Sequence, residues 1–280
     1  MMKFASTLVL ILAGHLLFAQ TIVCSPIDKN TLEEKIVEMQ SVVQPTYGDT
    51  LVTIGKSFLG IPYVAKTLEV GETESLVINL QGLDCTTYVE NVLAFGSMLR
   101  KGEKELDDFA RTLEKIRYKD GKLRGYPSRL HYFSEWIANN QEKGLVKDIT
   151  GELGGKALTK DINFMSTHRD LYPFLSDEDN YLQIKASERY LNDRPLYVLA
   201  KDKIEASEHL LRSGDIIALA TSINGLDVTH TGFAIRMDNG RIHLLHASSA
   251  NEEVEISELP LAEYLKNIRH NTGIMVARPR

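Results

Sequence analysis

Leu83-Asp84-Cys85-Thr86-Thr87-Tyr88-Val89-Glu90-Asn91-Val92 reads as the first turns of a helix with a cysteine at its very start. Tyr88, Val89, Val92, Leu93, Phe95 and Leu99 recur at three- and four-residue steps and so share one apolar face. Asp84 and Thr86 suit the helix start. A thiol placed there lies among unpaired backbone N–H groups at the positive end of the helix dipole. Both favour the thiolate, the nucleophilic form. The alternative is a small apolar core residue, a common role for a free cysteine.

The chain has two cysteines, Cys24 and Cys85, in 280 residues. Lys3 precedes an apolar run from Phe4 to Ala19, the layout of a secretory leader, and this predicts a signal peptide over residues 1–19. Cys24 follows closely, so a lipid-anchoring signal is the alternative, although Val23 is larger than the small residue such a site normally needs. No later stretch is long and apolar enough to span a membrane. With Cys24 in or near the leader, Cys85 is left as a single thiol in an exported chain, which an internal disulfide cannot explain.

A charged fraction of 25%, an apolar fraction of 43% and a net charge of −6 describe a globular acidic protein, and set general nucleic-acid binding aside. Against that background Arg111, Lys115, Arg117, Lys119, Lys122, Arg124 and Arg129 form a local basic stretch, opposed by only Glu114 and Asp120. It could hold an anionic ligand or be a solvated helix end and loop.

Helices are expected over about 28–39, 49–59, 107–118 and 176–191, with another capped by Ser128 and running through Tyr132, Phe133, Trp136 and Ile137 to Gly144. Strands are expected over about 74–80, 195–199, 215–220, 229–236, 241–248 and 273–277. Helices first and strands later indicate an α+β fold, with a mostly helical section over about 101–203.

The hairpin around Asp238-Asn239-Gly240 can be tested by its own geometry. A two-residue turn at Asn239-Gly240 puts His230 and His246 on opposite faces. A three-residue turn with Gly240 left-handed sets His230 opposite Ser248 and His246 opposite Gly232, so both imidazoles fall on one face. The three-residue turn is the expectation. Packing of the first turn of the Cys85 helix on the small residues of that face, Gly232 and Ala234, would let the thiol meet His230, with His246 orienting its ring. His243 points the other way. Cys85, His230 and His246 could instead hold zinc, but no His-x-x-x-His or Cys-x-x-Cys pair supports this, and no metal or cofactor is expected.

Ile61-Pro62-Tyr63, Leu83-Asp84-Cys85-Thr86-Thr87, Ser213-Gly214-Asp215-Ile216-Ile217, His230-Thr231-Gly232-Phe233 and Leu245-His246-Ala247 follow one another in an order that resembles the NlpC-like cell-wall cysteine peptidases. The wording Leu-Asp-Cys-Thr-Thr-Tyr-Val-Glu-Asn, with Asn224 to His230, is similar to one branch, the exported N-acetylmuramoyl-L-alanine amidase-like proteins of Bacteroides-type bacteria. The resemblance covers nearly all of residues 20–280. It implies a permuted papain-like catalytic domain, its nucleophile at a helix N-terminus packed on an antiparallel sheet, with residues 101–203 as a helical insertion. It implies Cys85 as nucleophile, His230 as base and His246 as orienting residue, with Tyr63, Asp84 and Thr86 lining the substrate cleft. The superfamily commonly has Asp-Cys-Ser-Gly where this chain has Asp84-Cys85-Thr86-Thr87, a departure that suits the amidase branch better than the usual endopeptidases. The implied partners are peptidoglycan fragments outside the cytoplasm of a Gram-negative cell. Cleavage of the muramoyl–L-alanine amide, cleavage between γ-D-glutamate and the diamino acid, and non-catalytic cell-wall binding are the functions to be separated.

Overall fold

The computed structural model describes residues 22–42 and 44–280, so the expected leader at 1–19 lies outside the described residues. Strand β1 (Ile22–Cys24) leads into helix α1 (Pro26–Met39), which Ser25 caps by accepting from the Asp28 N–H. Helix α2 (Tyr47–Lys56) is capped in the same way by Thr46. Strand β2 (Leu76–Ile78) pairs parallel with β1, Cys24 standing opposite Ile78.

Helix α3 (Cys85–Lys101) starts where the sequence places it. Its cap is Asp84, whose carboxylate accepts from the Thr87 N–H at 2.7 Å while the Thr87 hydroxyl accepts from the Asp84 N–H at 2.9 Å. This reciprocal box contributes roughly 1 kcal/mol and leaves Cys85 as the first helical residue. Gly102, at φ +70°, ends the helix.

Helix α4 (Leu106–Arg117) and helix α5 (Phe133–Glu142) follow. Ser128 does not cap α5. Its hydroxyl instead closes the preceding loop through the Gly125 carbonyl and Arg124 N–H, and α5 begins five residues later. The α5 start is satisfied from far away: the Asp227 carboxylate accepts from the Ser134 N–H at 2.7 Å. Sequence windows cannot see a cap that arrives from 93 residues away.

Strands β3 (Val146–Asp148) and β4 (Lys156–Leu158), helices α6 (Phe164–Thr167) and α7 (Glu178–Asn192), strand β5 (Leu196–Ala200) and helix α8 (Ile204–Ser207) complete this section. It is less purely helical than expected, because β3 and β5 both pair with the last strand and β4 extends the sheet beyond β5. Then come β6 (Ile216–Thr221), β7 (Val228–Arg236), β8 (Ile242–Ser248), β9 (Glu253–Ile256), helix α9 (Leu261–Lys266) and β10 (Asn271–Pro279). The main sheet runs β4-β5-β10-β6-β7-β8-β9, every neighbouring pair antiparallel.

The β7–β8 register is the one expected from a three-residue turn: Phe233 opposes Leu245 and Ile235 opposes His243. Gly240 takes φ +80° and donates to the Met237 carbonyl. The packing differs from expectation in one respect. The body of α3 lies on the Phe233, Leu245 and Ala247 face, with Tyr88 edge-on to Phe233 at 6.0 Å. Ala234 and Leu244 face the opposite layer, which α9 covers with Leu261, Ala262 and Leu265. Gly232 is small for another reason: a Cβ there would meet the His246 Cβ and the Leu245 carbonyl, both at 2.8 Å. Its hydrogen makes room for the imidazole, not for a helix.

The fold consumes part of the basic stretch, while Arg111, Lys115, Lys122 and Arg124 stay exposed. Arg117 is buried against Glu90 at 2.6 Å and also donates to the Val77 carbonyl. Arg129 is buried between Glu69 and Glu74. Lys119 meets Glu135, and Arg111, Lys122 and Arg124 pair with Asp108, Glu114 and Asp120. Acids distant in sequence neutralise Arg117, Lys119 and Arg129, whereas the exposed Arg111, Lys122 and Arg124 pair with acids of the same segment, as a solvated helix end and loop would.

Candidate active site

Cys85, Thr86, His131, Asp227 and His230 line one cavity of about 90 Å³ where the start of α3 meets the start of β7. The β7–β8 ladder runs from Phe233–Leu245 to Arg236–Ile242. On the cleft side of it, the Thr231 backbone and the hydroxyl and backbone of Thr86 approach the Cys85 sulfur closely enough to favour its thiolate. The thiol thus reaches the histidine region at the end of the ladder, not across the small-residue patch. A register shift in β6–β7 between Leu219 and Ala220 lies beside His230, at a position where bulges commonly re-aim side chains.

These three groups favour a thiolate, but burial and the neighbouring Asp84 carboxylate outweigh them and push the thiol up to about 12. This corrects the expectation that the helix start alone yields a thiolate. Burial lowers His230 to about 4, and burial together with the adjacent His230 lowers His246 to about 3. Desolvation thus favours the neutral form of all three groups. His230 Nε2 lies 2.7 Å from His246 Nδ1, the two rings edge-on. His243, on the other face, bonds the Ser257 carbonyl and takes no part.

Tyr63 is brought alongside by a parallel bridge to Leu83, and its hydroxyl is raised to about 12 by burial and by Cys85 and Asp84. One oxygen of Asp84 is held by the cap and its other makes no hydrogen bond among the described residues. Thr86 stands beside the sulfur and favours its thiolate. All six residues singled out in the sequence, Tyr63, Asp84, Cys85, Thr86, His230 and His246, thus gather around this end of the sheet.

Others were missed. His131 enters the cavity from the loop before α5, its Nε2 bonded to the Tyr126 carbonyl at 2.9 Å. A carbonyl only accepts, so Nε2 carries the proton and Nδ1 keeps a lone pair. Asp227 ties the start of α5 to the strand that carries His230. Tyr264 of α9 packs edge-on to His246 at 5.6 Å, and burial, with Glu255 and Cys85, raises its hydroxyl. No group of three or more His, Cys, Asp or Glu side chains suited to a metal occurs among the described residues.

Neutral buried imidazoles make stability pH-dependent in a definite direction. The unfolded chain binds protons near pH 6.5, the folded His246 only near pH 3, so acidification across that window favours unfolding. Between pH 7 and pH 5 His246 alone should remove about 2 kcal/mol, with His230 acting in the same sense. Urea midpoints at the two pH values measure this; an unchanged midpoint would contradict the buried neutral pair.

Residues 53–274 match the family described as AmiA-like, N-acetylmuramoyl-L-alanine amidase-like. An N-acetylmuramoyl-L-alanine amidase from Bacteroides uniformis is 40% identical, with TM-score 0.79 over 84% of this chain and 99% of its own. A Bacteroides fragilis protein, provisionally named a xylanase, is 42% identical, with TM-score 0.77 over 81% of this chain and 99% of its own. A Legionella pneumophila protein shares the fold at 20% identity, with TM-score 0.66 over 90% of this chain and 94% of its own. No curated protein matches the chain in sequence. With more than half of its length matched, and the amidase of Bacteroides uniformis similar over nearly all of its own chain, the protein belongs to the AmiA-like, N-acetylmuramoyl-L-alanine amidase-like family.

Proposed function

We propose that the protein is an exported cysteine amidase of permuted papain-like architecture that cleaves the bond between N-acetylmuramic acid and L-alanine in peptidoglycan fragments. The observation that carries this reading is a cysteine at a helix start sharing one small cavity with a histidine whose Nε2 lies 2.7 Å from Nδ1 of a second histidine. His230 takes the Cys85 proton as the sulfur attacks the lactyl carbonyl. The Cys85 N–H and the Tyr63 hydroxyl receive the oxyanion. The C–N bond breaks, His230 returns its proton to the departing L-alanine nitrogen, and water then hydrolyses the muramoyl thioester to the free sugar acid. His246 holds the His230 ring, Thr86 and the Thr231 amide steady the sulfur, and the section over 101–203 shapes the cleft through His131. The enzyme would act in the periplasm or at the outer surface, with residues 1–19 as its leader, and a lipid on Cys24 is the less favoured arrangement.

The xylanase name of the Bacteroides fragilis relative fits this cavity poorly. Glycoside hydrolysis generally needs two opposed carboxyl groups, whereas among the described residues one carboxylate, Asp227, lines this cavity, and it is held by the amides of Ser134 and Val228. A γ-D-glutamyl–diamino acid endopeptidase is the second reading, favoured by the unoccupied oxygen of Asp84, which could receive a free L-alanine amine. Digestion of a disaccharide-linked stem peptide separates the readings. The free sugar acid plus intact peptide is expected, a cut within the peptide replaces the amidase by the endopeptidase, and no cleavage by a folded protein leaves cell-wall binding.

A further inference from the structure

We propose that Glu255 is a positioning residue of this site, selecting the imidazole tautomer that leaves His230 with a lone pair for the Cys85 proton. The proposal rests on the reading of Cys85 and His230 as the reacting pair.

Two neutral histidines joined by one hydrogen bond can place the shared proton in either of two ways. In one, His230 Nε2 donates to His246 Nδ1 and His230 Nδ1 is a free base. In the other, His246 Nδ1 donates, and His230 presents an N–H in place of a lone pair. The 2.7 Å contact alone does not choose between them. What lies at the other end of His246 does. His246 is fully buried, and β9 sets Glu255 directly opposite it in the sheet. The Glu255 Oε1 lies 3.6 Å from His246 Nε2, which has no hydrogen-bond partner among the described residues. A carboxylate can only accept. It therefore favours the tautomer with the proton on His246 Nε2, which makes His246 Nδ1 the acceptor and turns His230 Nε2 into the donor. The basic lone pair is thereby moved to His230 Nδ1. The second Glu255 oxygen accepts from the Asn251 side chain at 2.7 Å, which anchors the carboxylate.

The same carboxylate opposes the loss of basicity caused by burial once His230 gains a proton. The groups facing the pair are Cys85, Asp84 and Tyr63 from the α3 side, His131 and Asp227 across the cavity, Tyr264 from α9, and Glu253 on the same face of β9. None of these carries a positive charge, and among the described residues Glu255 is the carboxylate within ion-pair distance of the pair, at 3.6 Å from His246 Nε2.

Alkylation of Cys85 by iodoacetamide as a function of pH, together with nitrogen NMR of the two imidazoles, tests this without a muropeptide. Glu255→Gln should slow alkylation near neutral pH by roughly ten-fold, lower the pH of its acidic limb, and shift His230 away from the tautomer with Nε2 protonated. Glu255→Asp, which keeps the charge, should recover most of the rate. A merely structural role would leave the limb and the tautomer unchanged. If His230→Ala slows alkylation but Glu255→Gln leaves rate, limb and tautomer unchanged, the proposal for Glu255 is wrong. If His230→Ala itself has no effect, the reading of the reacting pair fails first.

Discussion

Cys85→Ala is expected to lower muropeptide turnover by about 10⁴-fold or more while leaving the fold in place. Loss of a covalent nucleophile removes the whole pathway, and what remains is the smaller contribution of binding and oxyanion stabilisation. The fold should tolerate it, because Cys85 is partly exposed and the helix start is held by Asp84 and Thr87, which the substitution does not touch. His230→Ala should cost nearly as much, and the double variant little more than either, since nucleophile and base act as one unit. Rates measured beside urea midpoints make the comparison. Retention of a tenth or more of the activity by Cys85→Ala would exclude the cysteine from the reaction.

Glu90→Ala should produce the largest loss of stability, about 3–5 kcal/mol. Glu90 and Arg117 are each 2% exposed and meet at 2.6 Å, and Glu90 also accepts from the Trp136 indole at 3.3 Å. Truncation strands a guanidinium in the core, and Arg117 keeps only its bond to the Val77 carbonyl. Because the penalty comes from the uncompensated charge, Glu90→Leu combined with Arg117→Met should be more stable than Glu90→Ala alone. Denaturant midpoints of the variants check this. A double variant no better than the single would show that the pair contributes through geometry and not through burial of charge. Glu90 and Trp136 also tie α3 to α5, so the loss should loosen the wall carrying His131.

The parts of the site that lie within one hairpin or one helix turn were legible in the sequence. Asp84 and Cys85 follow from capping preference and apolar spacing. The shared face of His230 and His246 follows from counting across a Gly-ended three-residue turn, and the structure has that register. Contacts made across the chain were not legible. The Asp227 cap on α5, the acids that meet Arg117 and Arg129, and His131 all depend on packing between segments tens of residues apart. Glu255 lay between these extremes. Val254 and Ile256 alternate with Glu253 and Glu255 after a turn at Asn251, so the β8 hairpin could have been continued one strand further to reach His246. A helix start is visible in sequence, whereas the desolvation and the Asp84 charge that oppose the thiolate depend on how the first turn packs.

The most direct measurement is the mass of the intact protein after rapid acid quenching of a reaction with a disaccharide-linked stem peptide. The account predicts an adduct on Cys85 equal to the disaccharide acyl group without any amino acid, absent from Cys85→Ala. An adduct that also carries L-alanine and D-glutamate would place the cut inside the stem peptide and contradict the assignment of the bond. Free products with no adduct on the cysteine at any quench time would contradict the thioester itself.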